Sequence, residues 1–316
     1  MRILVTNDDG VHAPGLAEIA RALSDWVGPI GAERHRVTVV APLNNYSGAS
    51  AAVGTVYERE QIPYQAIRLK SAPDVPAFGV DGSPALAVII AALGAFGPPP
   101  DLVVSGINLG VNVGRSILHS GTVGAVLTGA QRGLNGLAVS LRSGGDPPWE
   151  TAAALAVPLV PPLAAAPPGT VLNLNVPSLP LSEVRGVRAG RIGGAAVIQG
   201  ASSDPSAARA DASDDSGAAR PDTSSVTAIP SGGSGTPGVL PDEEHEGYLE
   251  LRLGAAVPSL GDVHDEDPAD DAALVAAGFA SLTPILGVRE DTGQAAADLL
   301  SRVLGPQPDP QTAPTH

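Results

Sequence analysis

A short apolar run that stops on two adjacent aspartates, Ile3-Leu4-Val5-Thr6-Asn7-Asp8-Asp9-Gly10, constrains this chain more than any other stretch. An apolar run of this length near the start of a chain reads as a strand buried on both faces, which is the habit of a parallel sheet. In open α/β sheets the ligand crevice lies beyond the carboxyl ends of the strands. Two neighbouring carboxylates there repel each other and are costly to desolvate unless a cation or a proton intervenes. Asn-Asp-Asp-Gly is also good turn chemistry, so the tetrad has to be weighed with the rest of the chain.

Beyond the tetrad the sequence alternates regularly. Leu16, Ile19, Ala20, Leu23 and Val27 recur at helical spacing after Pro14-Gly15. Arg36 to Pro42 reads as the next strand, and a less regular, partly β stretch runs from Ala51 to Val80. Ser83-Pro84 has the form of a capping residue followed by proline at the first helical position. Asp101 to Asn108 reads as a third buried strand with a polar end, Ser120-Gly121-Thr122 opens a helix running to Arg132, and Gly136 to Leu141 is a further strand. A helix near Trp149 to Leu163 and a strand from Thr170 to Pro177 complete the series. This order predicts an α/β fold, a Rossmann-like, doubly wound, mostly parallel sheet.

Domain boundaries come from composition. Residues 1–195 are expected to form the Rossmann-like core. Residues 196–246 are rich in Ser, Asp, Ala, Gly and Pro with few large apolar side chains, and are expected to be a disordered insertion. Structure is expected to resume over 247–305, with strands at Gly247 to Leu253 and Gly278 to Ile285 and a helix at Gln294 to Leu304, and 306–316 reads as a frayed tail. The acidic cluster Asp262, Asp265, Glu266, Asp267, Asp270 and Asp271 reads as a solvated loop.

The formal charge of −15 argues against a duplex nucleic-acid binder, which needs a basic face. It does not argue against a small anion held by a metal and by backbone N–H groups. The absence of cysteine removes disulfides, thiolate metal sites and a cysteine nucleophile. No apolar run approaches the length of a membrane span and the amino terminus lacks a signal pattern, so a soluble cytoplasmic protein is expected. With aromatics at only 3% of residues, Ala, Val, Leu and Gly must fill the core.

Three strands end in oxygen-bearing residues: Asp8 and Asp9, Ser47 one loop beyond the second strand, and Asn108. Parallel neighbours would bring these tips to one crevice. Two carboxylates, a hydroxyl and an amide carbonyl, completed by water, suit a hard divalent ion such as Mg²⁺ or Mn²⁺. The helix start at Ser120-Gly121-Thr122 would offer N–H donors and a favourable dipole to a phosphate on that ion.

These segments, Ile3 to Gly15, Ala41-Pro42 through Ser47-Gly48-Ala49-Ser50, Val104 to Asn108 with Gly110 and Asn112, and Ser120 to Val123, resemble the SurE family of metal-dependent 5′/3′-nucleotidases. The likeness covers residues 1 to about 190 and resumes weakly at Gly278 to Ile285. It implies a Rossmann-like core with one divalent ion on Asp8, Asp9, Ser47 and Asn108. It also implies catalytic roles for Asp8, Asp9 and Asn108, and phosphate-side roles for Asn112, Ser120, Gly121 and Thr122. The substrates would be nucleoside monophosphates. The carboxyl-terminal region would be an oligomerisation extension reaching a partner subunit in a homodimer or homotetramer. Two departures are visible: His119 stands where an aromatic residue is common, and Ala85-Leu86 follows Ser83-Pro84 in place of an Asp. His12 and His119 are candidate proton donors without a motif behind them. The competing readings are a broad acid phosphatase or exopolyphosphatase, a non-catalytic nucleotide-binding protein, and a dinucleotide enzyme, although the first turn lacks G-x-G-x-x-G.

Overall fold

In the computed structural model of the chain, residues 1–27, 34–54, 56–194, 198–202, 250–253 and 270–287 are described. Strand β1 (Arg2–Thr6) runs through the middle of the sheet. Ile3 and Val5 face one apolar layer and Leu4 faces the other, and none of the three is more than 2% exposed. An uninterrupted apolar run has this use: both faces of a parallel strand need covering.

Helix α1 (Pro14–Asp25) starts on proline and buries Leu16, Ile19, Ala20 and Leu23. It stops two residues short of Val27, which is 65% exposed instead of extending the apolar stripe. Strand β2 (Arg36–Pro42) pairs parallel to β1. The partly β stretch resolves into two strands, β3 (Tyr64–Ile67) and β4 (Ala77–Val80), paired antiparallel, with β4 parallel to β2. Helix α2 (Pro84–Ala92) is capped by Ser83, whose Oγ accepts from Leu86 N–H at 3.2 Å.

The chain then returns to the other side of β1. Strand β5 (Leu102–Leu109) pairs parallel to β1, and helix α3 (Gly121–Ala130), strand β6 (Asn135–Leu141) and strand β7 (Val171–Val176) come next. Between β6 and β7 the expected single helix is broken into α4 (Trp149–Ala156), a 3-10 turn at Val157–Leu159 and α5 (Val160–Ala164). The causes are Pro158, Pro161 and Pro162, which remove amide donors and crowd the preceding turn.

Strand β8 (Val187–Ala189) forms the far edge of the sheet. Strand β9 (Ile198–Ser202) pairs antiparallel with β10 (Glu250–Leu253) in a separate two-stranded sheet. The insertion expected over 196–246 therefore begins with an ordered strand, because pairing with β10 satisfies its backbone and gives it a register. Residues 203–249 lie outside the described residues. Helix α6 (Asp271–Ala276) and strand β11 (Ala280–Ile285) close the described fold. The helix expected at 294–304 and the tail lie outside the described residues.

The large sheet has the order β3-β4-β2-β1-β5-β6-β7-β11-β8, parallel from β4 to β7, with β11 antiparallel to β7 and β8 parallel to β11. The carboxyl-terminal strand thus sits inside the main sheet, between β7 and the edge. Helices α1 and α4 cover one face, and α2 and α3 the other. The core is built from Ala, Val, Leu and Ile, with Phe279 its one buried aromatic among the described residues. Each fully buried Leu or Ile in it contributes roughly 1.5–3 kcal/mol of transfer free energy. Among the described residues no helix is long and apolar enough to cross a membrane.

Candidate active site

The winding direction reverses at β1: the chain goes outward to β2 and β4, then comes back to β5 and continues to β6 and β7. The carboxyl ends of β1 and β5 therefore splay around a crevice. The turn after β1 is closed by Asn7, whose Nδ2 donates to the Gly10 carbonyl at 2.9 Å. It delivers Asp8 and Asp9 into this crevice.

Asp8 is only 3% exposed. Its Oδ1 accepts from the Thr122 hydroxyl at 2.5 Å, a contact between residues 114 apart in sequence. The start of α3 comes this close because residue 121 is glycine: a Cβ there would lie 2.7 Å from the Asp8 Cβ and 2.9 Å from its Oδ2. Burial pushes the Asp8 carboxyl above its ordinary range, and the Thr122 hydroxyl with the backbone N–H groups of Asp8, Thr122 and Gly121 pulls part of the way back. A carboxylate at the positive end of a helix is favourably placed.

Asp9 is half-buried and its Oδ2 accepts from Leu109 N–H of β5 at 3.3 Å. Burial first, and the negative charge of Asp8 second, raise its pKa to about 6, against the partial help of that N–H. Asn108, on β5 and 9% exposed, turns its Nδ2 to the Gly110 carbonyl at 2.6 Å, which leaves its Oδ1 available.

Ser47 is exposed on a loop that is tied to the same place at both ends. Tyr46 N–H donates to the Asp8 carbonyl at 2.7 Å. Ser50 donates through Oγ to the Leu118 carbonyl at 2.7 Å and through N–H to the His119 carbonyl at 3.1 Å. The three strand tips singled out in the sequence are thus linked: Asp8 to the Ser47 loop and to α3, Asp9 to β5. The donors are two carboxylates, a hydroxyl and an amide oxygen, all hard oxygens, and the carboxylate pair carries mutual repulsion that a cation would relieve. That set fits a divalent ion of the Mg²⁺ or Mn²⁺ type. Among the described residues no group of three or more His, Asp or Glu converges.

The residues expected to face a phosphate are already engaged with the protein itself. Ser120 Oγ accepts from Val123 N–H at 3.1 Å and caps α3. Thr122 is wholly buried, and its hydroxyl orients Asp8. Asn112 donates through Nδ2 to Ser140 Oγ at 2.8 Å. Its backbone is held by Asn175 Oδ1 at 2.7 Å and by the Nδ2 atoms of Asn173 and Asn175 at 2.8 and 3.0 Å. Asn112 therefore anchors the loop between β5 and α3. His12 and His119 are both exposed.

Sequence reasoning missed Ser140, Asn173, Asn175 and Asp271. The two asparagines did leave a signal: they alternate with Leu172 and Leu174 in a strand otherwise apolar, and buried amides need partners. The reading of the acidic cluster as a solvated loop fails at its last two members. Asp270 caps α6, accepting from Ala272 and Ala273 N–H groups at 2.9 and 3.1 Å, and Asp271 is completely buried. Six mostly apolar helical residues begin at Asp271, and their burial carries its side chain inward; the earlier members of the cluster lie outside the described residues.

Comparison with known proteins agrees with this geometry. The family model described as Survival protein SurE matches residues 3–198. The 5'/3'-nucleotidase SurE of Cronobacter sakazakii is 40% identical over 195 residues, 61% of this chain and 70% of that protein. The 5'-nucleotidase SurE of Legionella pneumophila (strain Paris) is 43% identical over 195 residues, 61% of this chain and 71% of that protein. The crystal structure of the SurE protein from Aquifex aeolicus superposes with a TM-score of 0.66 at 23% identity, covering 96% of this chain and all of that one, a likeness of fold. With the tandem carboxylates, the β5 asparagine and the α3 start in one crevice, and with a family match spanning most of the parallel core, this chain belongs to the SurE family.

Proposed function

We propose that this chain is a divalent-metal-dependent phosphomonoesterase that releases phosphate from nucleoside 5′- and 3′-monophosphates. The observation that carries the reading is the meeting of Asp8, Asp9 and the Asn108 strand tip beside the amino-terminal end of α3. The names of the Cronobacter and Legionella relatives point to the same substrate class.

Asp8, Asp9, Ser47 and Asn108 would hold the ion. Bound there, it supplies charge neutralisation for the phosphoryl oxygens and acidifies a water molecule to make a nucleophile. The rest of the work belongs to the chain. Thr122 fixes the orientation of the Asp8 carboxylate, and Leu109 N–H fixes that of Asp9. Ser120, Gly121 and Asn112 hold the helix start and the preceding loop against the crevice, so the positive end of α3 faces the anionic ester. Two uncompensated carboxylates would repel a phosphate monoester, so substrate affinity is expected to depend on the cation.

The test is phosphate release from a panel of nucleoside monophosphates, with and without chelator, and then with added Mg²⁺ or Mn²⁺. Release that chelation abolishes and a divalent ion restores is the expected result. Undiminished turnover by metal-stripped protein, or no release from any member of the panel, would overturn the reading.

A further inference from the structure

Asp271 lies outside the region matched by the family model, 157 residues from the loop it touches. Both of its oxygens accept from Gly114 N–H, at 3.2 and 3.0 Å, and Oδ1 also accepts from Gly193 N–H at 3.1 Å and Ala272 N–H at 2.9 Å. The side chain is fully buried. Gly114 begins the 3-10 turn Gly114–His119, which runs directly into Ser120, the cap of α3. Beside this bond, Val113 packs with Ala272 and Ala276 of α6, with Val111 against the same small cluster. The loop between Asn108 and α3 is thus docked from below by α6 through one carboxylate and one apolar contact. At its upper end the same loop sets Thr122 on Asp8.

We propose that Asp271 is a positioning residue for the hydrolytic site: by clamping Gly114 it sets where the 110–119 loop delivers the start of α3 relative to Asp8 and Asn108. This rests on the nucleotidase reading for its catalytic consequence, but its structural half does not. A carboxylate that accepts from two distant segments, at Gly114 and Gly193, as well as from the N–H of the next residue, defines a position more narrowly than apolar packing does, because hydrogen bonds are directional and burial makes an unfilled N–H costly. Displacement of the α3 start by about 1 Å is enough to cost on the order of 10²-fold in rate.

The experiment uses the full chain carrying Asp271→Asn, which removes one acceptor oxygen, and Asp271→Glu, which keeps the charge and moves it outward by a methylene. Three readouts are taken well below the thermal midpoint: amide hydrogen exchange over 110–124, Mn²⁺ affinity by calorimetry, and kcat on a nucleoside monophosphate. The expected result is faster exchange confined to 110–124, Mn²⁺ affinity close to that of the parent, and kcat lower by about 10-fold or more in both variants. If Asp271→Asn does not fold, Asp271→Glu carries the test alone. Exchange unchanged over 110–124 overturns the proposal, as does faster exchange with parental kcat. A parent protein that releases no phosphate overturns the nucleotidase reading and with it the catalytic half of the proposal. The exchange data then decide the clamp separately.

Discussion

Among the described residues, two places hold an aspartate almost entirely out of water, and they meet the same electrostatic cost with different partners. Asp271, completely buried, accepts from N–H groups of two distant loops and of the next residue in its own helix. Asp8, 3% exposed, receives the Thr122 hydroxyl and stands next to a second carboxylate, Asp9. In both places burial raises the carboxyl pKa. At Asp271 the backbone answers that cost with dipoles and the group acts as a rivet. At Asp9 the like charge of Asp8 adds to the cost, and its carboxyl is pushed up to about 6. Asp271, tied by N–H groups to two distant loops, is placed as a structural carboxylate; Asp8 and Asp9, side by side beyond a strand tip, are the candidate cation site.

That contrast can be broken most directly at Asp8. Asp8→Asn keeps an acceptor for Thr122 and removes a buried charge, so phosphate release should fall on the order of 10²-fold or more while the metal-free protein melts no lower than the parent. Steady-state kinetics and calorimetric melting in chelator check both halves, and a large loss of thermal stability would assign Asp8 to the structural class. Gly121→Ala should come next. Its methyl would sit 2.7 Å from the Asp8 Cβ, moving the carboxylate away from Thr122, and kcat should drop by about 10–100-fold with weaker Mn²⁺ binding by calorimetry.

Asp271→Ala should lose the thermodynamic stability that Asp8→Asn keeps. It orphans the buried N–H of Gly114 and the partly buried N–H of Gly193, at a cost of about 2–4 kcal/mol in urea unfolding. Equal stability of the two variants would erase the distinction between rivet and cation site. The smallest effect belongs to an exposed control. Asp101 is held below its ordinary pKa range first by hydrogen bonding from the Arg2 side chain, at 2.5 Å, and both side chains are more than 40% exposed. Because the folded pKa is depressed, its contribution is present above the unfolded value and is lost as pH falls through the folded one. Asp101→Asn should shift the thermal midpoint only slightly at neutral pH, less in high salt, and not at all in acid.

Much of the site is legible in residue order. The tandem aspartates, Ser47, Asn108 and the Ser120-Gly121-Thr122 cap stand out as strand tips and a helix start, and the structure ties them together. The part that is not legible consists of contacts with no local pattern. Thr122 reads as a ligand-facing hydroxyl, and only the approach of α3 to β1 turns it onto Asp8. Asp271 reads as the last member of a solvated acidic run, and only the docking of α6 beneath the 110–119 loop buries it.

Local chemistry determined the elements themselves. Apolar runs made parallel strands, Ser83 and Ser120 set helix starts, and prolines at 158, 161 and 162 broke a helix, because each acts through its own backbone or its immediate neighbours. Tertiary structure alone decided which carboxylate would be riveted and which left open. That choice depends on which donors arrive from distant segments, the Gly114 N–H at Asp271 and the Thr122 hydroxyl at Asp8, and no periodicity within a strand or helix encodes their arrival.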